Sequence, residues 1–247
     1  MIKKIMCMLI VISILAAPLT MAEETEGDSD GLFKFRGIDW YATKSEALEI
    51  FKSQGLEEDL YSHPDGQNDR YIEGIQCIDS SDHTWKSSRI YEGGGYTAVF
   101  RPSEVAGYGG ASMSVSFIYP VKDGSIVPSD DDAQLYLAYY KWDRYSKLDI
   151  SLSEAFSDLY KKLKLLYGDS DLEYIEQITH HLKAQWSDRE GNTVILFADE
   201  HSTTNEIYEI TLGYVANNAQ ERFEEVLSII EAEENAILLK EMNTDGL

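Results

Sequence analysis

The stretch from Ser151 to Gly168, SLSEAFSDLYKKLKLLYG, limits what this chain can fold into more than any other. Leu152, Ala155, Phe156, Leu159, Leu163 and Leu166 recur at three- and four-residue steps, the spacing that gathers side chains on one face of an α-helix. Asp158, Lys161, Lys162 and Lys164 fall mostly off that face, and the lysines are expected to form a solvated side. Ser151 followed by Glu154 is a capping box, in which each side chain satisfies a free backbone N–H at the helix start. Gly168 can take the left-handed conformation that ends helices. A helix with one apolar stripe needs a surface to lie on, and the segments around it read as strands. The predicted fold class is therefore α+β, with antiparallel sheet and helices packed on one face of it.

A second helix is predicted from Thr43 to Gln54, stopped by Gly55, with Ala47, Leu48 and Phe51 as its stripe. Its start, Thr43-Lys44-Ser45-Glu46-Ala47-Leu48, matches Ser151-Leu152-Ser153-Glu154-Ala155-Phe156 at an offset of 108 residues. That recurrence predicts two tandem helix-plus-meander repeats, against the competing reading that capping boxes before such helices are simply common. The expected organisation is a signal peptide over 1–22, an acidic tether over 23–31, a first half over 32–130 and a second half over 131–247.

Strands fill the space between the helices. Tyr71 to Ile78, containing Cys77, and Tyr96 to Phe100 are short candidates. Ala111 to Tyr119 alternates, with Met113, Val115 and Phe117 on one face and Ser112, Ser114 and Ser116 on the other, so a half-exposed antiparallel strand is expected. Lys122-Asp123-Gly124-Ser125 is a turn, and Gln134 to Arg144 (QLYLAYYKWDR) is a long strand feeding the Ser151 helix. His181 to Ser187, Thr193 to Ala198 and Glu206 to Tyr214 read as a three-strand meander. A last helix over about Ala219 to Leu239 carries Phe223, Val226, Leu227 and Ile230 inward, with Glu221, Glu224, Glu225, Glu231, Glu233 and Glu234 on its wet side.

Lys3 and Lys4 before the apolar run Ile5 to Ala17, with Thr20-Met21-Ala22 ahead of Glu23, have the form of a secretory signal. Secretion or residence in a periplasm is the expected location, with membrane contact only through that segment if it stays uncleaved. Loss of Lys3 and Lys4 would take the formal charge from −23 to −25. Such a surface repels phosphate backbones, so nucleic acid is a poor partner. Loss of Cys7 would leave Cys77 alone, so stability is expected from packing and not from an internal disulfide.

Two stretches carry a family resemblance. They are Gly37-Ile38-x-Trp40-x-x-Thr43-x-x-Glu46, and the helix ending Leu166-Tyr167-Gly168-Asp169. In these the chain resembles the tandem repeats of β-lactamase-inhibitor-like proteins and the related SmpA/OmlA-type exported modules. In such modules a glycine often precedes the helix start and a proline often follows the terminal Gly-Asp. Tyr41 and Ser170 stand near those places here. The opening Phe33-x-Phe35-Arg36-Gly37-Ile38-x-Trp40 also looks like that of many secreted bacterial proteins. The resemblance implies export and protein–protein contact through a free sheet face, and no activity.

No Ser-x-x-Lys, His-Glu-x-x-His, Cys-x-x-Cys, P-loop or Gly-x-Gly-x-x-Gly is present, and the one Gly-x-Ser-x-Gly, Gly27 to Gly31, falls in the acidic tether and not between a strand and a helix, so no catalytic residue, metal ligand or cofactor is assigned. Asp169, Asp171 and Glu173 have the alternating spacing of a calcium loop but not its central glycine or distal glutamate. Asp130, Asp131 and Asp132, and Asp79, Asp82 and His83, read as solvated turns. The most distinctive feature is the aromatic strand. Strict alternation puts Leu135, Leu137 and Tyr139 on one face and Tyr136, Tyr140, Trp142 and Arg144 on the other. Tyr, Trp and Arg anchor interfaces and stack on sugars, though large aromatics also fill cores. The expected function is that of an exported, non-enzymatic protein binding a protein or envelope component through this face. Two alternatives are a glycan- or peptidoglycan-binding module using the same residues, and a hydrolase with a scattered Asp/His site.

Overall fold

The two capping boxes both form, and they set where each helix begins. A computed structural model describes residues 32–59, 94–176, 181–200, 203–204 and 206–244. Helix α1 (Lys44–Ser53) starts at Thr43, whose hydroxyl accepts the Glu46 N–H at 3.3 Å while Glu46 accepts the Thr43 N–H at 2.9 Å. Helix α2 (Leu152–Tyr167) starts at Ser151, with the same pair of bonds to Glu154 at 3.2 and 3.0 Å. On α2 the stripe of Ala155, Leu159 and Leu163 is buried. Leu166 was expected to end that stripe, but it is 44% exposed. Tyr167 takes the last place instead, packing on Phe33 and Trp186 with ring centroids 4.5 and 6.4 Å apart.

Seven strands form one antiparallel sheet. They are β1 (Gly95–Phe100), β4 (Ser112–Ile118), β7 (Gln134–Asp143), β8 (Leu172–Glu176), β9 (His181–Ser187), β10 (Thr193–Glu200) and β11 (Ile207–Val215). Their order across the sheet is β1-β4-β7-β11-β10-β9-β8. Two ribbons stand apart, β2 (Glu104–Val105) with β3 (Tyr108–Gly109), and β5 (Val121–Lys122) with β6 (Ser125–Ile126). The predicted Asp123-Gly124 turn joins the second ribbon, both residues being left-handed at φ 51 and 74°. Strand β8 had no counterpart in the sequence expectations. The predicted strand Tyr71 to Ile78, Cys77, the acidic tether and the signal segment lie outside the described residues.

The α+β class holds, and the sheet is covered on both faces. Helices α1 and α2 lie on one face over Phe35, Phe51, Phe100, Met113, Tyr140, Trp142 and Trp186, among others. Helix α3 (Ala219–Thr244) lies on the other, where Phe223, Val226 and Leu227 meet Ile118, Tyr136, Leu137, Tyr139, Ile195 and Phe197. Strand β4 is accordingly not half-exposed. Ser114 and Ser116 are 5% and 1% exposed, and the Ser116 hydroxyl is hydrogen-bonded with that of Thr97 at 3.1 Å. The run from α1 to β7 and the run from α2 to β11 each end on a central strand, and β7 pairs with β11 antiparallel.

The FRGI motif has a clear role. Phe35 and Ile38 form a bridge closed by the Ile38 N–H to Phe35 carbonyl bond of 3.0 Å, with Arg36 and Gly37 both left-handed between them. That two-residue turn drives Phe35 and Ile38, each 1% exposed, into the core, where Phe35 meets Phe51, Tyr140 and Tyr214.

Candidate functional site

The aromatic strand does not present the expected face. Between Ser116 and Phe117 of β4 the register against β7 shifts, so that Ser116 faces Leu137 and Phe117 faces Leu135. Tyr136 is the extra residue of a β-bulge, and two residues of β7 oppose one of β4. Its side chain therefore joins Leu137 and Tyr139 under α3, while Tyr140 and Trp142 point to the opposite face under α1 and α2. Tyr136, Tyr140 and Trp142 are each 1% exposed. Only Arg144, beyond the end of β7, reaches solvent, where its guanidinium donates to the Tyr145 hydroxyl at 2.6 Å. The four residues are split between two cores and a loop. The surface on which both the protein-binding and the glycan-binding expectations rested is the interior of the fold.

Three other arrangements could carry function. The first joins β2 and β3 to α2. Tyr108 donates to Asp158, Lys162 pairs with Asp158 at 2.8 Å, and Lys162 donates to the Ala106 carbonyl at 2.8 Å. Lys162, expected on a solvated side, is thus a strut holding the ribbon on the helix. Burial pushes the Asp158 carboxyl up, but hydrogen bonds from Lys162 and Tyr108 and the charges of Lys162 and Lys161 outweigh it and hold the group below its usual range. Burial, then the hydrogen bond to Asp158 and its charge, push the Tyr108 hydroxyl well up. A tyrosine held protonated and a lysine already paired make a latch, not an acid–base pair.

The latch has a pH sign. Because the folded-state pKa of Asp158 is depressed, its contribution is complete above the unfolded value of about 3.9 and is lost as pH falls through the lower folded value. Amide protection of the β2–β3 ribbon is therefore expected to drop below about pH 4. In Asp158→Asn the protection should be lower at neutral pH and flat across this range. An unchanged acid dependence in that variant would remove the latch.

The second arrangement is the corner at Tyr41. Tyr41 has φ 62°, a left-handed backbone that a bulky side chain rarely adopts and that glycine takes freely. What holds Tyr41 there is its N–H to the Leu135 carbonyl at 2.9 Å, its hydroxyl to the Asn217 carbonyl, and Arg222 over its ring at 4.8 Å. Burial pushes the hydroxyl's pKa up, Arg222 opposing and Glu221 adding to it. A cavity of about 520 Å³ opens beside it, lined by Tyr41, Asn218, Glu221, Arg222 and Glu225. Its mixture of charges selects no single ligand sign.

The third is the far end of α3. The helix leaves the core after Ile230, and Ile237, Leu238 and Leu239 are 58%, 55% and 61% exposed. Sequence reasoning stopped the inner stripe at Ile230 and passed over these three. The signal was present as Ala236-Ile237-Leu238-Leu239 inside an otherwise glutamate-rich helix.

Among the described residues no three His, Cys, Asp or Glu side chains converge in a way that could hold a metal, and no helix is long and apolar enough to cross a membrane. Asp169 pairs with Lys164 at 2.6 Å, and Asp131 accepts from the Ser45 hydroxyl at 3.2 Å. His63, His83, His180 and His201, needed for the hydrolase reading, lie outside the described residues, as does the side chain of His181. Comparison with protein families, characterised proteins and solved structures finds no match to this chain.

Proposed function

We propose that this is an exported, non-enzymatic protein that binds another protein or an envelope component, and that its contact surface is the projecting end of α3. The observation that carries the reading is the exposure of Ile237, Leu238 and Leu239 together. Isolated apolar residues on a surface need no explanation, but three consecutive exposed ones form the kind of contiguous patch that supports an interaction site. Residues 1–22 supply export, and the formal charge of −23 turns away nucleic acid. The resemblance to β-lactamase-inhibitor-like and SmpA/OmlA-type modules supports the same reading. We also take the α1-to-β7 and α2-to-β11 runs as tandem copies, which moves the boundary between the halves from 130/131 to beyond β7, supported by the shared capping box and the shared path to the sheet centre.

A photo-crosslinking residue at Leu238 is expected to give one discrete adduct in intact cells. The same residue at Tyr145, which is 75% exposed in the loop after β7, should give none. The captured protein should begin at Glu23. Indistinguishable labelling at the two positions would end the assignment of this surface.

A further inference from the structure

The end of α3 carries more information than its exposure. Consecutive helix residues stand about 100° apart, so Ile237, Leu238 and Leu239 spread over about 200° of the helix circumference. A helix lying on one surface needs a stripe of only about 100°. This end is therefore apolar on more than one side and is suited to insertion, not to lying flat. Its rim is acidic. From Glu231 to Lys240 the helix carries Glu231, Glu233 and Glu234 against Lys240 alone, on a chain of formal charge −23.

That charge decides the occupant. A second copy of this chain would bring the same acidic rim against itself, and an anionic lipid surface would do likewise. We infer that the end of α3 is a helical ligand inserted into an apolar groove of a partner protein whose rim is lined with Lys and Arg. The apolar residues anchor it, and the glutamates choose the partner and speed encounter. This rests on the reading of the α3 end as the contact surface and adds the partner's chemistry to it.

The test uses the whole protein and synthetic probes. A covalently paired set of Leu/Lys amphipathic helices presents a leucine groove with a lysine rim, and its Leu/Glu counterpart presents the same groove with the opposite charge. The Leu/Lys pair is expected to bind, more weakly as salt rises. Ile237→Asp with Leu238→Asp should weaken binding about tenfold or more, although the change adds negative charge. Non-specific attraction would instead tighten it, so that result separates insertion from bulk charge. Glu233→Lys, on the exposed flank, should weaken binding as well and decides the matter should the double variant unfold. Equal binding by the aspartate variant, self-association through α3 in sedimentation, or capture by phosphatidylglycerol vesicles alone would overturn the inference. Preference for the Leu/Glu pair, with loss in the aspartate variant, would overturn the partner's charge while leaving the contact surface standing. Absence of a specific Leu238 adduct in cells would remove the surface itself.

Discussion

Trp142→Ala is expected to destabilise the protein by about 3–5 kcal/mol, the range for deleting a buried aromatic. At roughly 2–4 °C per kcal/mol for a domain of this size, the melting temperature should fall by about 10 °C. Trp142 is 1% exposed, sits opposite Ile210 on β11 and lies 6.3 Å from the Tyr140 ring. Its buried indole N–H has no hydrogen-bond partner among the described residues. Trp142→Phe should therefore cost far less, because the lost contact area is offset by removal of an unsatisfied donor worth about 1–3 kcal/mol. Adding Tyr140→Ala to Trp142→Ala should unfold the chain, since typical domains hold only about 5–15 kcal/mol in reserve. Tyr145→Ala, at a residue 75% exposed, serves as the control and should stay within about 0.5 kcal/mol of the parent. Thermal unfolding of the four variants checks the series, and a folded, stable Trp142→Ala would contradict the placement of this strand in the core.

The second large effect belongs to Lys141 and Glu209. They sit diagonally across the β7–β11 ladder on the α3 face and pair at 3.0 Å, with side chains 16% and 7% exposed. Removing one partner takes a charge-assisted bond from the other in a poorly solvated place, so Glu209→Leu and Lys141→Met are each expected to cost about 1.5–3 kcal/mol. The double variant should recover most of that loss, because replacing a buried pair by apolar residues is often neutral or better. Urea denaturation of the two single variants and the double variant measures the coupling. Simple additivity would mean that the two charges do not act as a pair.

Sequence and structure agree where the chemistry is local. The Thr43/Glu46 and Ser151/Glu154 boxes depend on residues three apart, and both form as the sequence requires. Strand β4 alternates cleanly, which fixes its ends to within a residue, yet the same alternation predicts wet serines that the structure buries. Nothing in their polarity reveals a second layer above them. On β7 strict alternation groups Leu137 with Tyr139 and Tyr140 with Trp142 correctly, but one extra residue puts Tyr136 with the first pair and Leu135 with the second, and burial covers both faces. A bulge is a property of two strands in register, and β7 alone carries no sign of it. Strand β8 has no clear signal in the sequence, because Leu172-Glu173-Tyr174-Ile175-Glu176 follows neither a helical nor a sustained alternating pattern. The α3 end was missed for the opposite reason, since its apolar residues continue a pattern whose core partners had already ended.

The pairing of β7 with β11 bears on how the chain reaches its native state. Each other ladder of the main sheet joins strands that follow closely in the chain, apart from the short ribbons between them, whereas this one spans α2 and the whole of β8, β9 and β10. Closing so long a loop costs entropy before the contacts that offset it are made. Meanders on either side can assemble from nearby residues, so the slow event in folding falls on this central seam. Slowest hydrogen exchange and greatest sensitivity of folding rate are then expected at the same place, midway across the sheet and far from either edge.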